Sequence, residues 1–281
     1  MEKIFNSKSL IKMEVSLKNQ VAIITGSSSG IGAGIAKSMA ESGATVIVNY
    51  PFAGALEQAN AVLKEITDHG GNGIVYMCDV SKEDQVIKMF QDVVSQFGTV
   101  DILVNNAGIQ KDAPFTEMTF DQWNAVIGVN LTGNFLCARE AIKEFLRRGI
   151  DTSRSIACGK IIHISSVHEI IPWSGHANYA SSKGAIRMLM QTLAQEYGRQ
   201  KIRVNSICPG AIQTPINTNA WNTAEALDSL LKLIPYDRIG QPEDIGNLAV
   251  FLASDKADYI SGTSVFIDGA MTTFESFSTG G

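Results

Sequence analysis

The chain reads as one doubly wound α/β domain, a seven-stranded parallel sheet with helices on both faces. Three observations predict it. Short apolar runs alternate with helical patterns along almost the whole sequence, the rhythm of repeated βαβ units. The strand runs are apolar at consecutive positions, as in strands covered on both faces. The first of them, Val21-Ala22-Ile23-Ile24, leads straight into a glycine-rich turn at the head of a helix, an arrangement that suits a dinucleotide phosphate.

A helix over 31–41 follows the first strand and stops at Ser42-Gly43. Thr45-Val46-Ile47-Val48-Asn49 is the second strand. The next helix, over 56–69, stops at Gly70-Gly71, and Gly73-Ile74-Val75-Tyr76-Met77-Cys78 is the third strand. An amphipathic helix over 82–97 ends at Gly98. Asp101-Ile102-Leu103-Val104-Asn105 is the fourth strand, followed by helices over 119–127 and 130–146. Lys160-Ile161-Ile162-His163-Ile164 is the fifth strand. A long helix over 179–197 leads to the sixth, Arg203-Val204-Asn205-Ser206-Ile207. Gln241-Pro242-Glu243-Asp244 opens a helix with proline in its first turn and acids behind it, where the helix dipole favours them. Ser264-Val265-Phe266-Ile267-Asp268 is the seventh strand. Two stretches break the rhythm. The segment 147–159 is long for a helix-to-strand connection and reads as a surface loop. The segment 213–238 holds Pro215, Trp221, a short helical pattern over 224–233 and Pro235. It reads either as a lid over a substrate or as a peripheral packed helix pair.

A length of 281 residues suits one large domain, and 45% apolar with 18% charged residues is an ordinary globular balance. Residues 1–16 carry no continuous apolar stretch and no clear cleavage site, so they are expected to form a flexible leader. The catalytic, dinucleotide-binding domain is then expected over 17–281. A net charge of −5 leaves no basic footprint for nucleic acid. No apolar run approaches the roughly 18–20 residues of a membrane span. Cys78, Cys137, Cys158 and Cys208 are far apart, with neither disulfide nor zinc spacing. Reduced thiols in a cytoplasmic protein fit this pattern. The expected partner is a small-molecule substrate, with no nucleic acid, membrane or metal.

The turn after the first strand is Thr25-Gly26-Ser27-Ser28-Ser29-Gly30-Ile31-Gly32. Glycines permit the tight turn and let backbone approach a pyrophosphate, while the helix N-terminus supplies free N–H groups. Ligands of such sheets bind beyond the carboxyl ends of the strands. Asn49, Asp79, Asn105, Ser166 and Pro209-Gly210 all fall there. An acid at the end of the second strand would hold a ribose hydroxyl, and an arginine would suit a 2′-phosphate. The chain has Asn49-Tyr50-Pro51-Phe52 instead. A phosphate without a cationic partner binds poorly, so NAD is the expected cofactor, with NADP left open.

Tyr179 and Lys183 stand four residues apart on a predicted helix and so share one face. A cation beside a phenol favours the phenolate and lowers its pKa. Such a phenol can exchange a proton with a substrate hydroxyl. Ser166 lies thirteen residues before Tyr179.

Taken together these residues resemble the short-chain dehydrogenase/reductase family. The matches are Thr25-Gly26-x-x-x-Gly30-Ile31-Gly32, Asn105-Asn106-Ala107-Gly108, Asn130, Ser166, Tyr179-x-x-x-Lys183 and Pro209-Gly210-x-Ile212-x-Thr214. Arg238-Ile239-Gly240-Gln241-Pro242-Glu243-Asp244-Ile245 and Asp268-Gly269 also fit. The resemblance spans about residues 19–271 and implies a Rossmann-type domain acting with NAD or NADP. It implies Tyr179 as the acid/base, Lys183 lowering its pKa and holding the nicotinamide ribose, and Ser166 binding the substrate oxygen. Asn130 would help hold a water between Lys183 and solvent. Cofactor contacts are expected from Gly26, Ser28, Ser29, Gly30, Ile31 and Gly32 in the first loop. Others are expected from Asn49, Tyr50, Asp79 and Val80, from Asn106, Ala107 and Gly108, and from Pro209, Gly210, Ile212 and Thr214. A homotetramer is expected through the helices over 130–146 and 179–197.

Within the family, Ser165–Trp173, Pro209–Asn217 and Asp268–Thr272 are similar to the bacterial glucose 1-dehydrogenases, so a sugar or polyol hydroxyl is the expected substrate. His168 and Glu169 would contact that polyol, or form a solvated loop pair. Trp173 and Trp221 would wall the pocket or pack in the core. Three departures stand against this likeness: Ser174–Asn178 looks more like a 3-oxoacyl-carrier-protein reductase, 147–159 is longer than expected, and no arginine follows Pro51. The alternatives are a 3-oxoacyl reductase or other ketone reductase, and a non-catalytic dinucleotide sensor.

Overall fold

A computed structural model describes residues 15–273. Apart from Val15 and Ser16, the expected leader lies outside the described residues.

Seven parallel strands form one sheet: β1 (Val21–Ile24), β2 (Thr45–Tyr50), β3 (Asn72–Met77), β4 (Ile102–Asn105), β5 (Gly159–Ile164), β6 (Ile202–Pro209) and β7 (Ser264–Ile267). Their order is β3-β2-β1-β4-β5-β6-β7. The chain grows outward from β1 to β3, then returns and grows the other way from β4. The reversal lies between β1 and β4, where Ala22 pairs with Ile102 and Ile24 with Val104. A crevice opens beyond the strand ends at such a switch point.

Alternate residues of each strand feed two cores. Ala22 and Ile24 of β1 face one side, packed with α1 (Gly30–Glu41), α2 (Leu56–Asp68) and α8 (Pro242–Ala253). Val21 and Ile23 face the other, packed with α3 (Glu83–Phe97), α5 (Gly133–Arg148) and α6 (Ala177–Tyr197). Burial on both faces is why the strands read as continuous apolar runs.

Two features differ from the sequence reading. The helices expected over 119–127 and 130–146 are one continuous run. α4 (Phe120–Ile127), capped by Thr119 and Gln122, passes into α5 through a π-helical turn, Gly128–Thr132. Nothing there stops a helix, so the chain absorbs the extra residue by closing the Gly133 N–H onto the Gly128 carbonyl. The segment 147–159 is not simply a surface loop, since Ser155, Ala157 and Cys158 are buried. It straps the amino ends of the central strands because Asp101, 1% exposed, needs cationic partners there. Arg148 and Arg154 supply them at 3.0 and 3.3 Å.

Candidate active site

The loop between β1 and α1 is braced from both sides. Thr25 Oγ1 accepts from the Asn106 and Ala107 N–H groups at 2.9 and 3.0 Å. Asn106 Nδ2 donates to the Thr25 and Gly26 carbonyls at 2.9 and 3.0 Å. From the other flank, Asn49 Oδ1 accepts from Gly26 N–H at 2.9 Å. Asn49 Nδ2 donates to the carbonyls of Cys78, Tyr76 and Tyr50 at 3.0, 3.3 and 3.4 Å. Both asparagines touch the cleft, but their amides are spent on the loop. Gly26 is the one residue type that fits its place: φ is +60°, and a Cβ would stand 2.9 Å from Ala107 Cα.

The loop opens on a cavity of about 870 Å³. Ser28, Ser29, Gly30, Ile31 and Gly32 line it, with Asp79 and Val80 from the end of β3. Asn106, Ala107 and Gly108 line it from the end of β4, and Pro209, Gly210, Ile212 and Thr214 from the end of β6. Tyr50 is buried and does not line the cavity, where Pro51 stands instead.

The first turn of α1 carries no acid, and Ser29 makes no side-chain cap to it. Its N–H groups therefore face the glycine cradle without an internal competitor. That donor set fits the pyrophosphate of a nicotinamide dinucleotide.

Ser166, Tyr179 and Lys183 converge on the same cavity. Ser166 leaves β5 and caps a short turn, its Oγ accepting from His168 N–H at 3.2 Å. Burial raises the Tyr179 phenol above its ordinary pKa, while hydrogen bonds with Ser166 and Gln110 act in the opposite direction. This corrects the expectation that Lys183 would pull the phenol down. The ammonium stands 5.4 Å from the centre of the tyrosine ring and donates to the Ile164 carbonyl at 2.8 Å. Burial lowers Lys183 itself to about 8, with Cys208 and Glu169 opposing.

Asn130 does not reach the cavity. It sits in the π-helical turn, wholly buried. Its Oδ1 accepts from Ile109 N–H at 2.8 Å, and its Nδ2 donates to the Ile109 carbonyl at 3.1 Å and Ser182 Oγ at 3.3 Å. It thus ties the segment after β4 to the helix bearing Tyr179 and Lys183.

The two expected substrate residues separate. His168 lines the cavity, its ring stacked on Trp173 at 4.2 Å, and Trp173 stacks in turn on His176 at 3.5 Å. Glu169 is turned inward, its carboxylate 4.0 Å from Arg187 Nε, and it does not line the cavity. Of the turn that begins at Ser166, Val167 and His168 line the cavity and Glu169 does not. Trp173 walls the cavity, whereas Trp221 packs outside it and donates to Asn217 Oδ1 at 3.2 Å. The segment 213–238 forms a short turn, Pro215–Ala220, and α7 (Ala224–Leu231). Ile216, Leu230 and Leu233 from it face the cavity. Sequence reasoning missed Gln110 and Met271, both cavity-lining. Gln110 follows the Asn105–Gly108 motif closely enough to have been a candidate, while Met271 carries no local signal.

A family model described as enoyl-(acyl carrier protein) reductase matches residues 26–272. The chain is 43% identical to 3beta-hydroxysteroid dehydrogenase 1 of Eggerthella lenta, over 94% of this chain and 98% of that protein. It is 37% identical to glucose 1-dehydrogenase 2 of Bacillus subtilis, over 92% and 97%. It is 41% identical to a 3-oxoacyl-[acyl-carrier-protein] reductase of Staphylococcus epidermidis, over 90% and 99%. Among solved structures, a gluconate 5-dehydrogenase from Burkholderia cenocepacia in complex with NADP and tartrate is similar. It has a TM-score of 0.84 at 34% identity, over 93% of this chain and 98% of that one. With the parallel seven-stranded sheet, the glycine cradle and the Ser166, Tyr179 and Lys183 cluster in place, the chain belongs to the short-chain dehydrogenase/reductase family.

Proposed function

We propose that the protein interconverts a bulky, largely apolar secondary alcohol and its ketone, with NAD as the preferred cofactor. A bound nicotinamide supplies or takes up the hydride. Residues 26–32, the Asp79-Val80 pair and residues 106–108 would hold the dinucleotide, and Lys183 its nicotinamide ribose. In the reducing direction Tyr179, kept protonated by burial, donates its proton to the substrate oxygen as negative charge builds there. Ser166 donates a hydrogen bond to the same oxygen. In the oxidising direction Tyr179 takes the proton back, so that direction gains as pH rises. Asn130, which does not reach the cavity, positions the cleft wall instead of holding the expected water.

The observation that carries the substrate class is the state of the polar groups around the cavity. His168 Nδ1 is engaged with the Ile171 carbonyl at 3.1 Å, and its ring is covered by Trp173. Asn217 spends its amide on Thr214, Trp221 and the Ile212 carbonyl. Ile171, Trp173, Ile216, Leu230, Leu233 and Met271 form most of the remaining wall, in which Gln110 and Asn219 are the amides not spent on backbone or lid. A polyol would leave most of its hydroxyls unpaired against such a wall. The name of the hydroxysteroid dehydrogenase relative agrees with such a substrate. A sugar remains the second reading, carried by Ser165–Trp173 and the glucose 1-dehydrogenase relative. The 3-oxoacyl reductase reading also suits an apolar wall.

NAD preference rests on the end of β2. Asn49 has its amide engaged there, Pro51 has no N–H, and among the described residues Lys183 is the one Lys or Arg lining the cavity. A homotetramer belongs to the same proposal, supported by exposed Phe135 and Leu146 on α5 and Met188 on α6. So does a cytoplasmic location, supported by four buried, unpaired cysteines. Initial rates at 340 nm decide the assignment, using a 3-hydroxysteroid, an acyl thioester and D-glucose, each with both cofactors. Turnover of the steroid with NAD is expected. Turnover of glucose alone restores the sugar reading, and NADP-only turnover removes the cofactor preference.

A further inference from the structure

Beneath the cavity lies a chain of buried polar groups that no catalytic role uses. Asn134 Nδ2 donates to the Asn130 carbonyl at 2.7 Å. Asn134 Oδ1 lies 2.7 Å from His163 Nδ1. Asn105 Nδ2 donates to the Asn134 carbonyl at 3.1 Å. None of the four residues is more than 4% exposed.

The donor and acceptor pattern has one solution. The Asn134 amide nitrogen is committed to the Asn130 carbonyl, so the other end of that amide must accept. His163 Nδ1 must then carry the hydrogen. Asn105 Nδ2, 3.4 Å from the same nitrogen, is also a donor and satisfies the Asn134 carbonyl instead. Burial, with the Lys183 charge adding to it, lowers His163 to about 3. The ring therefore stays neutral through the working pH range and holds one tautomer.

We propose that Asn134 and His163 are a positioning pair for the reaction: they fix the carbonyl of the π-helical turn, and through Asn130 they set the 106–110 segment against the catalytic helix. A π-helical turn departs from the regular ladder and needs outside partners to hold one shape. Here the outside partner is Asn134, which is itself pinned at its carbonyl by Asn105 and at Oδ1 by His163. Asn130 transmits that placement to both backbone groups of Ile109 and to Ser182. Ile109 and Gln110 line the same cavity as Tyr179, Ser166 and Lys183. The inference rests on the oxidoreductase reading of the same cleft.

The test uses His163→Asn, His163→Leu, and the double variant His163→Leu with Asn134→Val. Two readouts are kinetics and amide hydrogen exchange over residues 106–110. Asparagine can present an N–H near the place of the imidazole Nδ1, so His163→Asn is expected to keep most of kcat and native exchange. Leucine leaves Asn134 Oδ1 bare. A fall in kcat of roughly 10- to 100-fold is expected, the range that a small misplacement of reacting groups produces, with KM little changed and faster exchange at Ile109. The double variant removes both partners, and replacing a whole polar pair by apolar groups can be nearly neutral for stability. It is expected to regain Tm but not kcat. If kcat and exchange recover together with Tm, the pair merely fills the core and the proposal fails. Native exchange at 106–110 in folded His163→Leu would also overturn it. The exchange readout needs no substrate, so its outcome stands apart from any failure of the function assignment.

Discussion

Asn49→Asp puts the sequence logic and the structural logic of cofactor choice in opposition. An acid at the end of the second strand would hold a ribose hydroxyl, so by position alone the change should favour NAD. In the structure the side chain faces inward at 1% exposure. Its Nδ2 meets three carbonyl oxygens at 3.0 to 3.4 Å, and its Oδ1 accepts from Gly26 N–H. A carboxylate keeps the Gly26 bond and sets a negative oxygen against the three carbonyls. Losing the donor destabilises by about 1–3 kcal/mol, and ionisation there adds more, for a total of about 3–5 kcal/mol at pH 7. In a domain of this size that lowers Tm by roughly 6–20 °C. The sign with pH is fixed. Burial among carbonyls raises the new carboxyl above its unfolded value of about 3.9. The ionisation part of the penalty is absent below that value and grows by about 1.36 kcal/mol per pH unit until the folded pKa is reached. Urea unfolding at pH 5 and pH 7.5 should show the gap from wild type widening at the higher pH. NADH titration should show weaker binding, because the residue that holds Gly26 is no longer tied to the Tyr76 and Cys78 carbonyls. A variant as stable as wild type that binds NAD more tightly would refute the inward placement of Asn49.

Three further outcomes follow from the site and its frame. Tyr179→Phe should lower kcat by about 10²- to 10⁴-fold, the usual yield of a positioned acid/base, while NADH fluorescence titration shows nearly unchanged Kd. Lys183 is lowered to about 8, so its cationic form is complete well below that pH and lost above it. The kcat/KM for ketone reduction should therefore fall as pH rises through about 8, and a profile flat to pH 10 would show that the Lys183 charge is not needed. Gly34→Ala would be favourable in an exposed helix by about 1 kcal/mol. Here the added Cβ would stand 2.6 Å from Pro242 Cβ and 2.8 Å from its carbonyl oxygen. Overpacking between α1 and α8 should instead destabilise by about 1–3 kcal/mol, read as a lower urea midpoint with kcat retained.

The fold was legible because both faces of the sheet are covered. Continuous apolar strands bounded by glycine leave little freedom in where the elements lie, and every expected strand is present. The Ser166, Tyr179 and Lys183 cluster was legible for a related reason, since each residue sits at a strand end or one helical turn from its neighbour. The π-helical turn was not. Its residues, Gly128–Thr132, have ordinary helix-compatible composition, and the extra residue is absorbed by partners such as Asn134 and His163, remote in sequence. The strap over 147–159 was hidden likewise, because its purpose is to neutralise Asp101 on another element.

Substrate recognition was the least legible part, and the reason is geometric. Reading His168 and Glu169 as polar contacts counts residue types along a loop. What a ligand meets is the set of polar atoms left over after the protein has satisfied itself. Glu169 is turned under the turn that Ser166 caps. His168 and Asn217 give their hydrogen bonds to backbone and lid. The wall is completed by Ile171, Ile216, Leu230, Leu233 and Met271, which are spread over a hundred residues and show no motif. A segment that looks polar in sequence thus presents a largely apolar surface in space. If that argument holds, enlarging the spare polarity should shift selectivity. Leu233→Asn places an amide on the lid, away from Ser166, Tyr179 and Lys183. It should lower kcat/KM for a hydroxysteroid relative to D-glucose by roughly 10-fold, since one misplaced polar or apolar group in a pocket is worth about 1–3 kcal/mol. An unchanged ratio would mean that the lid does not touch the substrate, and the apolar reading of the cleft would lose its basis.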